Sequence, residues 1–173
     1  FTHDNQQVPF KYTEAEMEGK TGNITNVSFR LSNSKSASVK RTYAVYMKST
    51  DLTAFADENS FFQLSESDKV FEGQVELPAT AGSWYTINFD TPFKYEGGNI
   101  MLCVYDKTGS QNTSAYSMFY QYSTTESASI HKNVWGNTPL NVSSLSDGTV
   151  VASKNQIKLT FVAADEEPDP TPD

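Results

Sequence analysis

The chain has 173 residues, 37% hydrophobic and 13% aromatic, with a net charge of −8 and a single cysteine. That length supports one domain with a proper core and is marginal for two. Asp165, Glu166, Glu167, Asp169 and Asp173 crowd the last nine residues, leaving a body of 16 acids against 13 bases without a basic run. Such a surface excludes nucleic acid and anionic membranes as charge-driven partners.

One cysteine also excludes an internal disulfide and a cysteine-based metal cluster. Cys103, between Leu102 and Val104, reads as a small buried hydrophobe. No apolar run approaches the roughly 18 residues of a membrane span, so no insertion is expected. Without an initiator Met or a signal-peptide pattern, Phe1 reads as the start of a processed chain or of an excised fragment.

In chain order, residues 1–12 predict an irregular first strand broken at Pro9. Thr13 followed by Glu16 is a capping box for one short helical turn, ended by Gly19 and Gly22. Residues 24–32 alternate, with Val27, Phe29 and Leu31 on one face and Asn26, Ser28 and Arg30 on the other. Residues 32–40 form a polar loop. Residues 41–49 repeat the alternation with Tyr43, Val45 and Met47. The stretch 51–67 is read as irregular, with a helical turn capped by Asp51 or Thr53. Strand 69–77 points Val75 and Leu77 inward, and Gly73 marks a bulge or a close approach.

The stretch 82–109 is the densest in information. Tyr85, Ile87 and Phe89 alternate with Thr86, Asn88 and Asp90, so this strand has one wet face. Residues 100–105 are apolar throughout, as expected of a strand covered on both sides. Pro92, Gly97 and Gly98 predict that 91–99 turns. Within 115–122, Tyr116, Met118, Tyr120 and Tyr122 share one face and Phe119 takes the other. Residues 128–135 are another strand, Asp147-Gly148 signals a short hairpin, and 155–162 places Ile157, Leu159 and Phe161 inward. Residues 164–173 carry a Pro at alternate positions and no large apolar side chain. They are expected to be an extended linker to a following module.

About nine short strands and no long helix predict an all-β fold over residues 1–163, an antiparallel, jelly-roll-like β-sandwich with one or two short helical turns. Length disfavours an immunoglobulin-type sandwich. Phe29, Ile87, Leu102 and Leu159 are expected in its core.

No catalytic motif is present, and the chain is not expected to be an enzyme. His3 and His131 stand without a surrounding motif, and no GxSxG occurs. Asp90, Glu96 and Asp106 lie near the ends of the central strands, where carboxylates ordinarily solvate turns. Asp57, with Glu58 and Asn59, and Asp4 with Asn5 are oxygen clusters of the kind that hold calcium, against the plainer reading of solvated acidic loops. Tyr116, Tyr120 and Tyr122, with Trp135, could form a platform on which sugar rings stack. Core packing is the favoured reading of Tyr116 and Tyr120; for Tyr122 and Trp135 the two readings balance. The four NxS/T sequons at Asn23, Asn26, Asn112 and Asn141 are assigned no role.

The succession NITNVSFRL, RTYAVYMKST, KVFEGQVEL and GSWYTINFDTPFKYEGGNIMLCVYDKTG resembles the cleaved-adhesin and hemagglutinin-type jelly-roll modules of Bacteroidetes surface proteins, such as gingipain adhesin domains. The likeness covers most of 1–163 and is densest over 41–109. It implies export to the cell surface or beyond, and adhesion to a host or environmental protein or glycan within a multi-modular protein. Some such modules are similar to carbohydrate-binding modules and hold structural calcium. No catalytic residues come with it. The family pattern begins upstream of Phe1, which leaves an N-terminal calcium site in question. The resulting expectation is a secreted or cell-surface binding module. The alternatives are a carbohydrate-binding module serving an attached glycosidase or glycan-uptake system, and a spacer in a surface stalk.

Overall fold

The computed structural model describes residues 5–61, 63–109, 118–134, 140–141 and 145–163. Eleven strands follow in order: β1 (Asn5–Tyr12), β2 (Gly22–Arg30), β3 (Val39–Thr50), β4 (Lys69–Leu77), β5 (Trp84–Tyr95), β6 (Asn99–Asp106), β7 (Gln121–Ser123), β8 (Ser129–Val134), β9 (Thr149–Val151), β10 (Ser153–Asn155) and β11 (Ile157–Val162). They form a six-stranded sheet, β4-β3-β6-β1-β8-β9, a three-stranded sheet, β11-β2-β5, and the pair β10-β7. Every registered pairing is antiparallel. The fold is an all-β sandwich.

The main core lies between the two larger sheets. Phe10 and Tyr12 of β1, Tyr43, Val45 and Met47 of β3, and Ile100, Leu102 and Val104 of β6 meet Val27 and Phe29 of β2 and Ile87 of β5. Because β6 sits between β3 and β1, its other face must also be covered. Cys103 and Tyr105 pack with Ala44, Tyr46 and Leu64, while Met101 packs with Phe55, Phe61 and Ile130. Residues 51–61 and 63–64 are irregular in backbone yet supply three of these buried side chains. Hence β6 is apolar at every position from Ile100 to Tyr105, as the sequence predicts.

At its end stands Asp106, wholly buried, with its Oδ2 bonded to Arg41 Nε at 2.8 Å and Nη2 at 2.7 Å. Its Oδ1 accepts the Thr108 amide at 3.0 Å and hydroxyl at 2.6 Å. This carboxylate is a buried ion pair and not a solvated turn residue, and both of its oxygens are occupied. Burial, with the Asp106 charge adding to it, holds the Tyr85 hydroxyl well above the ordinary phenol range.

Several local expectations are corrected. β1 runs unbroken through Pro9, because the proline pairs with Cys103 of β6 while the ladder to β8 lapses between Gln7↔Lys132 and Phe10↔Ser129. The missing N–H therefore falls where no donor is needed. Pro92 likewise lies inside β5. Pairing with β2 jumps from Asn26↔Asn88 to Ile24↔Phe93, so the surplus residues of β5 bulge from the ladder and carry the proline with them. The turn itself is confined to 96–98, where Gly97 and Gly98 take φ of 120° and 81°. Gly73 is a close approach: a Cβ there would lie 3.1 Å from the Phe71 ring.

The 3-10 turn Glu14–Met17 has the expected Thr13 capping box, but the second, Glu66–Asp68, is capped by Ser65, not Asp51 or Thr53. Asp147 adopts φ 55°, and β9, which follows it, pairs with β8, the described strand before it in the chain; the other arm expected of a short hairpin, at 143–144, lies outside the described residues. Residues 164–173, the expected linker, lie outside the described residues.

Of the four nominated core residues, Phe29, Ile87 and Leu102 are buried, whereas Leu159 is only half-buried. β11 is the edge strand of the small sheet, so one flank of Leu159 has no neighbouring strand among the described residues. Leu102→Ala should cost about 3–5 kcal/mol in urea unfolding, and Leu159→Ala about 1–2 kcal/mol, because the half-buried position loses less transfer energy and leaves no closed cavity.

Candidate functional site

Residues 118–123 carry the aromatic stripe, and its orientation reverses the favoured sequence reading. Leu31 bridges to Phe119, which packs onto Phe29 and Tyr85 with ring centroids 6.0 and 5.9 Å away. Phe119 therefore takes the core side. Met118, Tyr120 and Tyr122, at the opposite parity, stand 51%, 40% and 40% exposed. Tyr120 is thus an outward ring and not a core residue. Tyr116 and Trp135 lie outside the described residues.

Tyr120 continues the line of β11 along β2: its amide donates to Arg30 O at 2.9 Å, and its carbonyl accepts the Gln156 amide at 2.8 Å. The Arg30 guanidinium lies over the Tyr120 ring, 4.7 Å from its centroid. On the same outer face, Lys158 of β11 stands 4.2 Å over the ring of Trp84 in β5. Trp84 was not among the nominated binding residues. The signal for it was its parity, since it alternates with Tyr85 and Ile87 and so shares the wet face with Thr86 and Asn88.

Tyr122 is held by a polar knot. Its hydroxyl donates to Glu16 Oε1 at 2.7 Å, while Glu16 Oε2 accepts Lys154 Nζ at 2.5 Å, the Thr13 amide at 2.7 Å and the Thr13 hydroxyl at 2.9 Å. Lys154 Nζ also donates to Lys11 O at 3.0 Å and lies 4.8 Å over the Tyr12 ring. β1, its 3-10 turn, β7 and β10 are tied together at this point. Burial works to raise the Glu16 pKa, but the hydrogen bonds from Lys154, Thr13 and Tyr122 outweigh it and hold the carboxyl at about 2. Lys154 is pulled down by burial, against the favourable Glu16 contact. Burial and the Glu16 carboxylate together raise the Tyr122 hydroxyl.

Beside this knot an open groove of about 630 Å³ follows β11, with Met17, Tyr122, Lys158 and Phe161 among its walls. A smaller cavity of about 240 Å³ places His131 near Ser129 and Ser153, but no carboxylate lines it. The Ser129 hydroxyl is turned to Ser153 O at 2.8 Å. Among the described residues no carboxylate completes a Ser-His-Asp arrangement in this cavity. The other strand-end carboxylates are also engaged, Glu96 with Lys94 at 2.8 Å and Asp90 with the Glu72 amide at 3.3 Å.

Asp57 is exposed, and its Oδ1 accepts the Asn59 amide and the Ser60 hydroxyl, each at 2.9 Å. Those bonds lower its pKa, the Ser60 hydroxyl contributing most. Asn59 Oδ1 in turn accepts the Asp147 amide at 3.2 Å. Among the described residues no group of three His, Cys, Asp or Glu side chains converges to hold a metal ion.

No protein family, no curated protein and no solved structure matches the chain. The site is read from its own geometry.

Glu16 has a pKa below its unfolded value, so its contribution is present above about pH 4.5 and is lost as pH falls towards about 2. Acid unfolding of the wild type should lose about 1–2 kcal/mol in that window, after allowance for solvent around a half-exposed group. Glu16→Gln should lack that increment and be less stable at neutral pH, where it leaves Lys154 buried without its anion. For Asp57, whose turn closes on protein donors alone, EDTA and millimolar calcium should both leave the melting temperature unchanged; a rise with calcium would reveal a bound ion.

Proposed function

We propose that this chain is a non-catalytic extracellular binding module of a multi-domain bacterial surface protein, and that its ligand is a glycan. The observation that carries the reading is the outward presentation of Tyr120 and Tyr122 beside Met118. Sugar rings offer apolar C–H faces to aromatic side chains and hydroxyls to the polar groups at their margins. Tyr122 is anchored through its hydroxyl, so little of its freedom remains to be lost on binding. The engagement of Asp90, Glu96 and Asp106 in separate contacts supports a role without catalysis.

Adhesion to a host or environmental glycan and targeting of an attached glycosidase use the same surface. A catalytic domain elsewhere in the full-length protein would favour targeting. A stalk spacer has no need of an exposed aromatic strip.

Tyr120→Ala and Tyr122→Ala should each weaken retention on a glycan array or in affinity electrophoresis, by about 2 kcal/mol where the ring is the main anchor. The melting temperature should change little for Tyr120→Ala and modestly for Tyr122→Ala, which gives up its bond to Glu16. Undiminished retention in both variants would remove the aromatic strip from the binding surface.

A further inference from the structure

The outer face of the three-stranded sheet joins two cations to two rings. Lys158 pairs with Ser28, and Ser28 with Thr86, across β11, β2 and β5, while Arg30 pairs with Trp84 one step further along the same face. Ser28 Oγ and Thr86 Oγ1 are hydrogen-bonded at 2.8 Å, so the centre of the face is a neutral hydroxyl row. The next row, Thr160–Asn26–Asn88, is also neutral. No carboxylate stands in these rows.

In a chain of net charge −8, most described lysines and arginines have found an acid. Arg30 and Lys158 have none among the described residues. Each instead leans over an aromatic ring, Arg30 over Tyr120 at 4.7 Å and Lys158 over Trp84 at 4.2 Å, and Arg30 Nε is further fixed to Gly82 O at 3.3 Å. The rings restrain both side chains without neutralising them, so their ordering cost is met before any ligand arrives.

We infer that this face binds an anionic polysaccharide, with Arg30 and Lys158 receiving carboxylate or sulfate groups and the exposed Thr86 and the margins of Trp84 and Tyr120 receiving the sugar. The inference rests on the glycan reading above and narrows it to charged polymers. Lys158 is diagonal to Arg30 across adjacent strands, which separates their Cα atoms by roughly 7–8 Å and suits charges repeated along one chain. Arginine offers a planar fork to a carboxylate or sulfate, and lysine a compact charge. A nucleic acid fits less well, because its closely spaced phosphates call for a longer basic track than two residues on an acidic protein.

Affinity electrophoresis of the full chain in gels containing polygalacturonate, fully methyl-esterified polygalacturonate, dextran sulfate or dextran tests this directly. The expected result is retardation by polygalacturonate, by dextran sulfate or by both, according to whether carboxylate or sulfate is the preferred anion. The uncharged counterpart should bind at least about tenfold more weakly. Retardation should also fall as salt rises from about 50 to about 200 mM. Arg30→Gln with Lys158→Gln should lower the affinity about tenfold or more, while the charge-keeping pair Arg30→Lys with Lys158→Arg should retain most of it. Both pairs should melt close to the wild type, since Lys158 is exposed and Arg30 only half-buried on this outer face. The inference is overturned if neither anionic polymer retards the protein, if the uncharged counterparts bind equally well, or if the glutamine pair binds like the wild type. Retention of neutral glycans that Tyr122→Ala abolishes would keep the glycan reading and defeat this one.

Discussion

The structure depends on a single constraint: β6 is apolar on both faces and must be covered twice. Its neighbours β3 and β1 satisfy its backbone, and the small sheet covers Ile100, Leu102 and Val104. Met101, Cys103 and Tyr105 point the other way, and the irregular residues 51–61 and 63–64 bring Phe55, Phe61 and Leu64 over them. The cover is reached from β3, the neighbour of β6, through a single loop. Where β6 ends, Asp106 is still in the interior, and Arg41 from β3 meets it there. Removing one partner of such a pair would leave an uncompensated buried charge.

Double cover also determines which surfaces remain for recognition. The six-stranded sheet spends part of its outer face on the loop layer. Among the described residues no such layer lies over the outer side of the three-stranded sheet, where Ser28, Thr86 and Thr160 are polar and Trp84 and Tyr120 are the aromatic exceptions. The Glu16–Lys154–Tyr122 knot lies at the margin of this sheet, where β1 and its 3-10 turn approach β7 and β10. It fixes the position of the segment that leads from Tyr120 to Tyr122. At that seam one carboxylate both offsets a buried ammonium and steadies an exposed ring.

How much of this is legible in the sequence depends on whether parity is informative. In 26–30 only one parity is apolar, and the strand lies where periodicity places it, whereas in 41–49 Ala44 and Tyr46 fill the second parity and pack under the loop layer. In 100–105 both parities are apolar, which signals double cover without saying what provides it. In 118–122 aromatic side chains occupy both parities, so Phe119 and Tyr120 compete for the core, and only the bridge to Leu31 decides between them. Pro9 and Pro92 read as breaks because a proline lacks a donor, yet each falls where the ladder asks for none. The pairing of Lys158 with Trp84 joins residues far apart in the chain and follows from register, which a single sequence does not display.

Cys103 shows what the double cover means in time. The thiol has no exposed surface, lies in the middle of β6 and is the only one in the chain. Fraying of an edge strand such as β11 or β4 leaves it sealed, because its own layer consists of Ala44, Tyr46, Leu64 and Tyr105. A thiol reagent reaches it only when the loop layer lifts or the sandwich comes apart. Labelling of this one thiol therefore reports loss of the layer on which β6 depends and not fraying at the sheet edges.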